Sequence, residues 1–301
     1  MPNSDTDTVE RKRGNESGFV FFIAVLRLFG IKHARRFAAM VCFYYLLFDW
    51  SAVRKSLPYV RHAYPGAGFL KRLFRIHKLF YSQACMLLDR SSFLCGLTDF
   101  DHDCSGYEIF RHLAEETDEG VLLLGAHFGN WQLAVEGLKS LNCNVNIVVH
   151  EETNEAAKRY LEINSEDSNI NYIFTNNMAH GSLEIASALC NGEVVCLMGD
   201  RSYGSETIEV DFFGDKAFFP YSAFAIAAKT ESPVIPLFIC KDWESERYLV
   251  IGSETMRPVK VSGTPMTEWV RPWVQEYAKQ LEMMIIKHPE QCFLFTDIWT
   301  K

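Results

Sequence analysis

Apolar and polar residues alternate along the second half of the chain in a rhythm that predicts strands and helices in turn. Short runs rich in Val, Ile and Leu predict buried strands, and stretches with an apolar residue every three or four positions predict helices. The predicted strands are 121–126, 145–149, 171–174, 193–198, 234–240 and 248–252. The predicted helices are 130–140, 154–163, 182–191, 221–229 and 267–287. This alternation is typical of an α/β fold with a mostly parallel sheet flanked by helices.

The first third of the chain combines apolar and basic residues instead. Residues 1–17 are polar and charged, which predicts a disordered tail. Basic residues separate the apolar runs 19–26 and 37–48, and a helical pattern with further basic residues follows at 69–97. Neither run has the roughly 18–20 uninterrupted apolar residues that a spanning helix needs. Two interpretations are open: a pair of core helices, or a helical hairpin at a membrane surface with its basic residues among the headgroups.

Charge divides the chain at nearly the same place. The net charge is −8, but residues 1–90 contain 15 basic and 6 acidic residues, whereas residues 91–301 contain 15 and 32. A basic segment suits an anionic partner, and the apolar runs within it favour an anionic membrane surface over nucleic acid. We therefore predict a disordered tail (1–17), a helical membrane-associating segment (18–105) and an α/β domain (106–301).

Several classes of site have no support in the sequence. The nine cysteines show neither a CxxC pair nor the spacing of metal ligands, so we expect no metal site and a reducing, cytoplasmic setting. There is no GxGxxG and no GxxxxGK[ST] motif, so no dinucleotide or nucleoside triphosphate cofactor is expected. The glycine-flanked serine of an α/β esterase is also missing.

One histidine is predicted at the carboxyl end of a strand. His127 lies in the stretch GAHFGNWQ, after the apolar run 121–124 and before a helical pattern. Open α/β sheets present ligands and catalytic groups at this edge, and a histidine there can take a proton near neutral pH. Asp200 and Arg201 close another apolar run, 194–198, so we expect them at the same edge.

These motifs resemble the lysophospholipid-type acyltransferases, and most closely the branch of lipid A late acyltransferases. In that family a strand ends in a histidine with an Asp or Glu five positions later, and His127 matches the histidine. Further blocks resemble the family in the same order, over roughly residues 18 to 300. They are Gly199–Gly204, Val210–Gly214, Phe219–Pro220, Ser232–Pro236 and His288–Phe293.

The resemblance implies an acyltransferase that moves a fatty acyl group from acyl carrier protein or coenzyme A to a hydroxyl of a lipid or glycolipid. His127 would be its general base, and the enzyme would lie on the cytoplasmic face of the inner membrane as a peripheral or monotopic protein. Phe213 and Phe219 fall where the family borders its acyl-chain groove, although such aromatic clusters also form plain core. The candidate substrate contacts are Arg201, which suits a phosphate, Asn130, Arg159, Phe213 and Phe219.

Position 132 departs from the family, because it carries Gln132 in place of the acid. A glutamine can orient the imidazole through its carbonyl oxygen, but it cannot stabilise an imidazolium by charge. Three outcomes are open. The chain is an enzyme that tolerates Gln132, or another carboxylate substitutes, with Asp200 a better candidate than Glu136. The third is a catalytically weakened relative that still binds acyl chains or lipid.

Overall fold

The computed structural model describes residues 16–100, 102–103, 105–149, 169–175, 178–202 and 204–300. The helices are α1 (Glu16–Phe48), α2 (Trp50–Ala63), α3 (Phe69–Leu94), α4 (Ser105–Glu116), α5 (Trp131–Leu138), α6 (Met178–Cys190), α7 (Ser222–Thr230) and α8 (Met266–Lys287). The strands are β1 (His102–Asp103), β2 (Val121–Gly125), β3 (Val145–Val149), β4 (Ile170–Phe174), β5 (Val194–Met198), β6 (Thr207–Phe212), β7 (Asp215–Pro220), β8 (Val234–Asp242) and β9 (Arg247–Gly252).

Seven strands form one sheet in the order β1-β9-β8-β2-β5-β3-β4, and β6 pairs with β7 in a separate hairpin. Neighbours in the large sheet are parallel except β8 and β9. The predicted α/β fold with a mostly parallel sheet is confirmed, and the six predicted strands correspond to β2, β3, β4, β5, β8 and β9. The predicted helix 154–163 lies outside the described residues. Strand β1 and the β6–β7 hairpin were not predicted.

The centre of the sheet is the centre of the core. Strand β2 lies between β5 and β8, and Val121, Leu122, Leu123 and Leu124 are at most 2% exposed. A parallel strand covered on both faces needs apolar side chains at successive positions, which explains the uninterrupted apolar run. The end of this strand is therefore held firmly, and His127 comes two residues after it.

The N-terminal helices pack on this core. Val53 and Tyr59 of α2 and Ile76 and Leu79 of α3 belong to the same buried cluster as the strands. Helix α1 is kinked at Gly30 and packs against α3 through a smaller cluster of its own, formed by Leu26, Ala34, Ala38 and Leu88. The predicted segment 18–105 therefore shares its interior with the α/β domain.

The N-terminal helices are rich in apolar residues, but α1 is kinked and α2 is short. Among the described residues, no single helix is long and apolar enough to cross a membrane. The pair Phe21–Phe48 and Trp50–Ala63 meets the requirement of length and composition only when taken together, and the two helices are bent by 95°.

Candidate active site

His127 and Asp200 meet because their strands are paired in parallel. Gly125 at the end of β2 lies opposite Met198 at the end of β5, and each of the two polar residues follows two positions later. His127 Nδ1 lies 2.9 Å from Asp200 Oδ1 and 3.1 Å from Oδ2. The backbone N–H of His127 also donates to Asp200 Oδ2, at 3.1 Å. The two residues predicted at one edge of the sheet thus form a bonded pair.

The turn that carries His127 is held by backbone hydrogen bonds on two sides. The N–H of Phe293 donates to the His127 carbonyl, and the N–H of Gly129 donates to the Gln291 carbonyl, both at 2.7 Å. Gly129 has φ +60°, and a Cβ atom there would lie 1.6 Å from the Ile239 carbonyl oxygen. Only glycine fits this position, since any side chain would collide with strand β8.

Asp200 is a buried carboxylate that stays ionised. Its side chain is 2% exposed, whereas that of His127 is 19% exposed. Burial raises the pKa of the Asp200 carboxyl, but the neighbouring His127 imidazole and Arg201 guanidinium together lower it by more, so this pKa lies below its ordinary value. The charged carboxylate accepts a hydrogen bond from Nδ1–H, which fixes that tautomer and leaves the Nε2 lone pair as the basic position of the ring.

Tyr277 of α8 ties that helix to the end of β2. Its hydroxyl donates to the Gly125 carbonyl oxygen at 2.6 Å, and its side chain is fully buried. Burial raises the pKa of Tyr277 well above its ordinary value, with the charge of Asp200 adding to the effect. The phenol therefore remains protonated and acts here as a fixed donor.

Gln132, which the sequence left open as one partner of the imidazole, contacts Arg90. Its Oε1 accepts a hydrogen bond of 2.6 Å from Nη1 of Arg90, near the end of α3. The hydrogen bond to the ring N–H of His127 belongs to Asp200 instead. Of Asp200 and Gln132, the structure places the carboxylate of Asp200 on the imidazole and the amide of Gln132 on Arg90.

The predicted substrate contacts have different surroundings. Arg201 directly follows Asp200, is partly buried, and its charge acts on that carboxylate. Asn130 is 4% exposed, and its amide nitrogen lies 3.1 Å from the Met86 carbonyl oxygen and 3.2 Å from the Tyr248 hydroxyl. Its amide nitrogen is thus engaged within the protein, and its contact with the substrate stays a prediction. Arg159 lies outside the described residues.

The two predicted groove aromatics are on the β6–β7 hairpin. Phe219 is fully buried, with its ring 5.1 Å from Phe212 and 6.2 Å from Tyr277 between centroids. Its ring packs within the buried core, and its place beside an acyl-chain groove stays a prediction. Phe213 is half-buried in the turn of the hairpin at φ 55°, where its N–H donates to Glu282 Oε2 at 2.7 Å.

Two residues of the site were missed by the sequence reasoning. Arg90 is one of several basic residues along a helical pattern, and Tyr277 is one of three aromatic residues in an amphipathic helix. The sequence around Arg90 and the sequence around Tyr277 contain no motif that distinguishes either residue from its neighbours. Within the described ranges, no group of three or more His, Cys, Asp or Glu side chains could hold a metal ion.

The comparison with protein families gives the class of enzyme. The family model for bacterial lipid A biosynthesis acyltransferases matches residues 99–301. A similar solved structure is that of the 1-acyl-sn-glycerophosphate (LPA) acyltransferase PlsC from Thermotoga maritima. It is 15% identical, with a TM-score of 0.40, and the match covers 85% of this chain and 97% of that one. The comparison with curated proteins gave no match. Since the family model covers more than half of the chain, this protein belongs to the bacterial lipid A biosynthesis acyltransferases and is an acyltransferase of lipid substrates.

Proposed function

We propose that the protein transfers a fatty acyl group from a thioester, on acyl carrier protein or coenzyme A, to a hydroxyl of a lipid or glycolipid, with His127 as general base. The observation that carries this proposal is the His127–Asp200 pair at the carboxyl edge of the sheet, at 2.9 Å. A buried carboxylate on Nδ1 orients the ring and stabilises the imidazolium that forms when Nε2 takes a proton.

The reaction then needs two proton transfers. Nε2 of His127 removes the proton of the acceptor hydroxyl as its oxygen attacks the thioester carbonyl carbon. The tetrahedral intermediate collapses by breaking the carbon–sulfur bond, and the leaving thiolate takes the proton back from Nε2. Asp200 keeps its charge throughout. Arg201 is suited to a phosphate, either of the acceptor or of the donor's phosphopantetheine arm.

In the alternative function, the protein is a relative of the enzymes that binds acyl chains or lipid but transfers no acyl group. Its support was Gln132, which lacks the charge of the family's acid. The position of Asp200 supports the enzyme instead, because the imidazole has a charged partner without help from residue 132. Arg159, Phe213 and Arg201 remain proposed contacts of the substrate.

We place the reaction at the cytoplasmic face of the inner membrane, with α1–α3 against the lipid surface. Many large apolar side chains of these helices are more than 45% exposed: Phe21, Leu28, Phe29, Met40, Phe43, Tyr44, Leu47, Phe48, Trp50, Phe69, Leu70 and Phe74. Exposed basic residues accompany them: Lys32, Arg36, Arg54, Lys55, Arg61 and Lys71. Apolar and basic side chains together suit an anionic membrane surface. Among the described residues, the eight cysteines form no disulfide.

The proposed activity is tested with purified protein, labelled acyl carrier protein and acyl-CoA donors of several chain lengths, and fractionated membrane lipids as acceptors. The measurement is label in the lipid product. His127→Ala should lower transfer by about 10²–10⁴-fold, the usual contribution of a general base. His180→Ala, at an exposed histidine of α6, is the matched control and should behave as wild type.

Two results would contradict the proposal. If His127→Ala keeps more than a few per cent of the wild-type rate, His127 is not the base. If the wild-type protein transfers no acyl group from any donor, while acyl ligands still raise its melting temperature, the binding function is correct.

A further inference from the structure

We propose that Arg90 is a positioning residue of the active site and that it acts on the turn carrying His127 through Gln132. The proposal rests on the proposed function, in which His127 is the base. It gives position 132, where the family has an acid, a different task in this chain: joining the catalytic turn to helix α3.

The direct contact is the hydrogen bond from Arg90 Nη1 to Gln132 Oε1, at 2.6 Å. An arginine has only donors, so the amide oxygen of Gln132 is the acceptor and the orientation of the amide is fixed. Hydrogen bonds to a charged donor are shorter and stronger than those between neutral groups. Gln132 is the second residue of α5, five positions after His127, so this bond holds the helix that begins directly after the turn.

Two more contacts join α3 to the same turn. The Met86 carbonyl lies 3.1 Å from the Asn130 amide nitrogen. The Asp89 carboxylate accepts from the Tyr248 hydroxyl at 2.8 Å, and that hydroxyl lies 3.2 Å from the same amide nitrogen. Residues 86, 89 and 90 share one face of α3, because positions three and four apart are neighbours on a helix. The end of α3 is thus a brace for residues 130–132.

The geometry indicates that Gln132 holds the turn and does not contact the imidazole as its acid partner. Nδ1 of His127 already has its carboxylate, and Gln132 Oε1 is turned to Arg90. If Gln132 acts only through Arg90, removing either partner has the same consequence. Gln132→Glu keeps an acceptor for Arg90, so it serves as the conservative variant.

The test is a double-mutant cycle of Arg90→Ala and Gln132→Ala, with kcat and KM measured separately. Each single variant should lower kcat by about ten- to a hundredfold, with little change in KM, because a displaced catalytic group slows the chemical step. The double variant should be no slower than the slower single variant. Gln132→Glu should stay close to wild type, as should the control Lys229→Ala, at an exposed lysine in the last turn of α7.

Full kcat in Arg90→Ala would overturn the proposal, and so would losses that multiply in the double variant. Should Arg90→Ala fail to fold, Arg90→Gln, which keeps a donor without the charge, takes its place and should show an intermediate loss of kcat. An unchanged kcat in Arg90→Gln would also overturn the proposal.

A second readout does not depend on activity. The His127 Nδ1 proton donated to Asp200 is followed by NMR and assigned by its loss in His127→Ala. Arg90→Ala and Gln132→Ala should shift or broaden this signal, and Lys229→Ala should not. An unchanged signal overturns the positioning role even if the wild-type protein transfers no acyl group, whereas inactive wild type alone overturns only the proposed function.

Discussion

The carboxylate that faces His127 comes from a neighbouring strand and not from the helix that follows the histidine. Parallel strands lie about 4.8 Å apart, so side chains at equivalent positions beyond their ends are within reach of one another. Asp200 occupies the equivalent position after the end of β5, and the hydrogen bond that its side chain accepts from the His127 backbone N–H fixes its rotamer as well as its distance. One residue thereby sets both the tautomer and the orientation of the ring.

This arrangement predicts unequal effects of two substitutions on acyl transfer. Asp200→Asn should lower kcat by about 10⁴-fold, the cost of the same change in a serine-protease triad, because the amide cannot stabilise the imidazolium. Gln132→Ala should cost less, since it removes a brace and not the charge. Steady-state kinetics of both variants, beside a thermal melt of each, check the order.

The pH dependence sharpens the same prediction. Because the pKa of Asp200 lies below its ordinary value, the carboxylate is ionised throughout the range from about pH 5 to pH 9. The loss in Asp200→Asn should therefore be present at every pH in this range. A larger loss in Gln132→Ala than in Asp200→Asn would show that residue 132 acts on the ring after all.

For single residues, the sequence predicts those positions that follow from the order of strands and from the local apolar pattern. His127 and Asp200 end two apolar runs, so their common edge follows from the α/β fold. The Arg90–Gln132 bond joins residues 42 positions apart, and one arginine among many on an amphipathic helix has no distinguishing local signal. The internal bonds of Asn130 and the burial of Phe219 depend in the same way on tertiary packing.

At the scale of elements, four charged side chains join α1, α3 and the β8–β9 hairpin. Asp89 accepts from Arg35 at 2.7 Å and from Lys241 at 2.6 Å, and both cations also contact Glu246. The side chains of Asp89 and Lys241 are fully buried. Two positive and two negative charges balance, so each buried ion has a partner of opposite charge. This charge network is on the face of α3 that also braces the active site.

Breaking this charge network should destabilise the whole fold. Asp89→Asn leaves Lys241 and Arg35 with an amide in place of the carboxylate, and removal of one partner from a buried ion pair costs about 3–5 kcal/mol. Denaturant unfolding measures the loss. Glu244→Gln, at an exposed acid in the β8–β9 turn, is the control and should change little. A loss in Asp89→Asn no greater than in the control would mean that the network contributes no net stability.

The burial of a strand decides whether the sequence predicts it. Strands covered on both faces contain continuous apolar runs, and such runs predict these strands correctly. Strand β1 has only two residues, in a polar stretch, and pairs with β9. The β6–β7 turn contains Phe213 at positive φ, a conformation that usually belongs to Gly, Asn or Asp, so the local sequence predicts no hairpin there.

At the scale of the whole molecule, α1 and α3 run antiparallel. His77 Nε2 lies 3.3 Å from the Ala39 carbonyl oxygen, whereas Leu88, further along α3, packs with Leu26, further back along α1. The exposed apolar side chains at the end of α1 and the start of α3 therefore lie on the same end of the helix pair. Between residues 17 and 88 there is one acidic residue, Asp49. Helix α3 extends from this apolar and basic surface to Met86, Asp89 and Arg90, the residues that hold the turn of the active site.

The proposed membrane surface predicts that charge on α3 prevents binding to lipid. Burial of one large apolar side chain contributes about 1.5–3 kcal/mol, so Leu70→Glu with Phe74→Glu should weaken binding to phosphatidylglycerol-containing vesicles about a hundredfold or more. Deletion of the N-terminal helices is a poorer test, because it also removes Arg35 from the buried charge network. Leu183→Glu, at a similarly exposed leucine on α6, is the matched control and should bind as wild type. Vesicle sedimentation at about 0.1 M and 0.5 M salt measures both parts of the attraction, since salt screens the basic residues but not the apolar ones. Equal sedimentation of the two glutamate variants would mean that α3 does not contact the membrane.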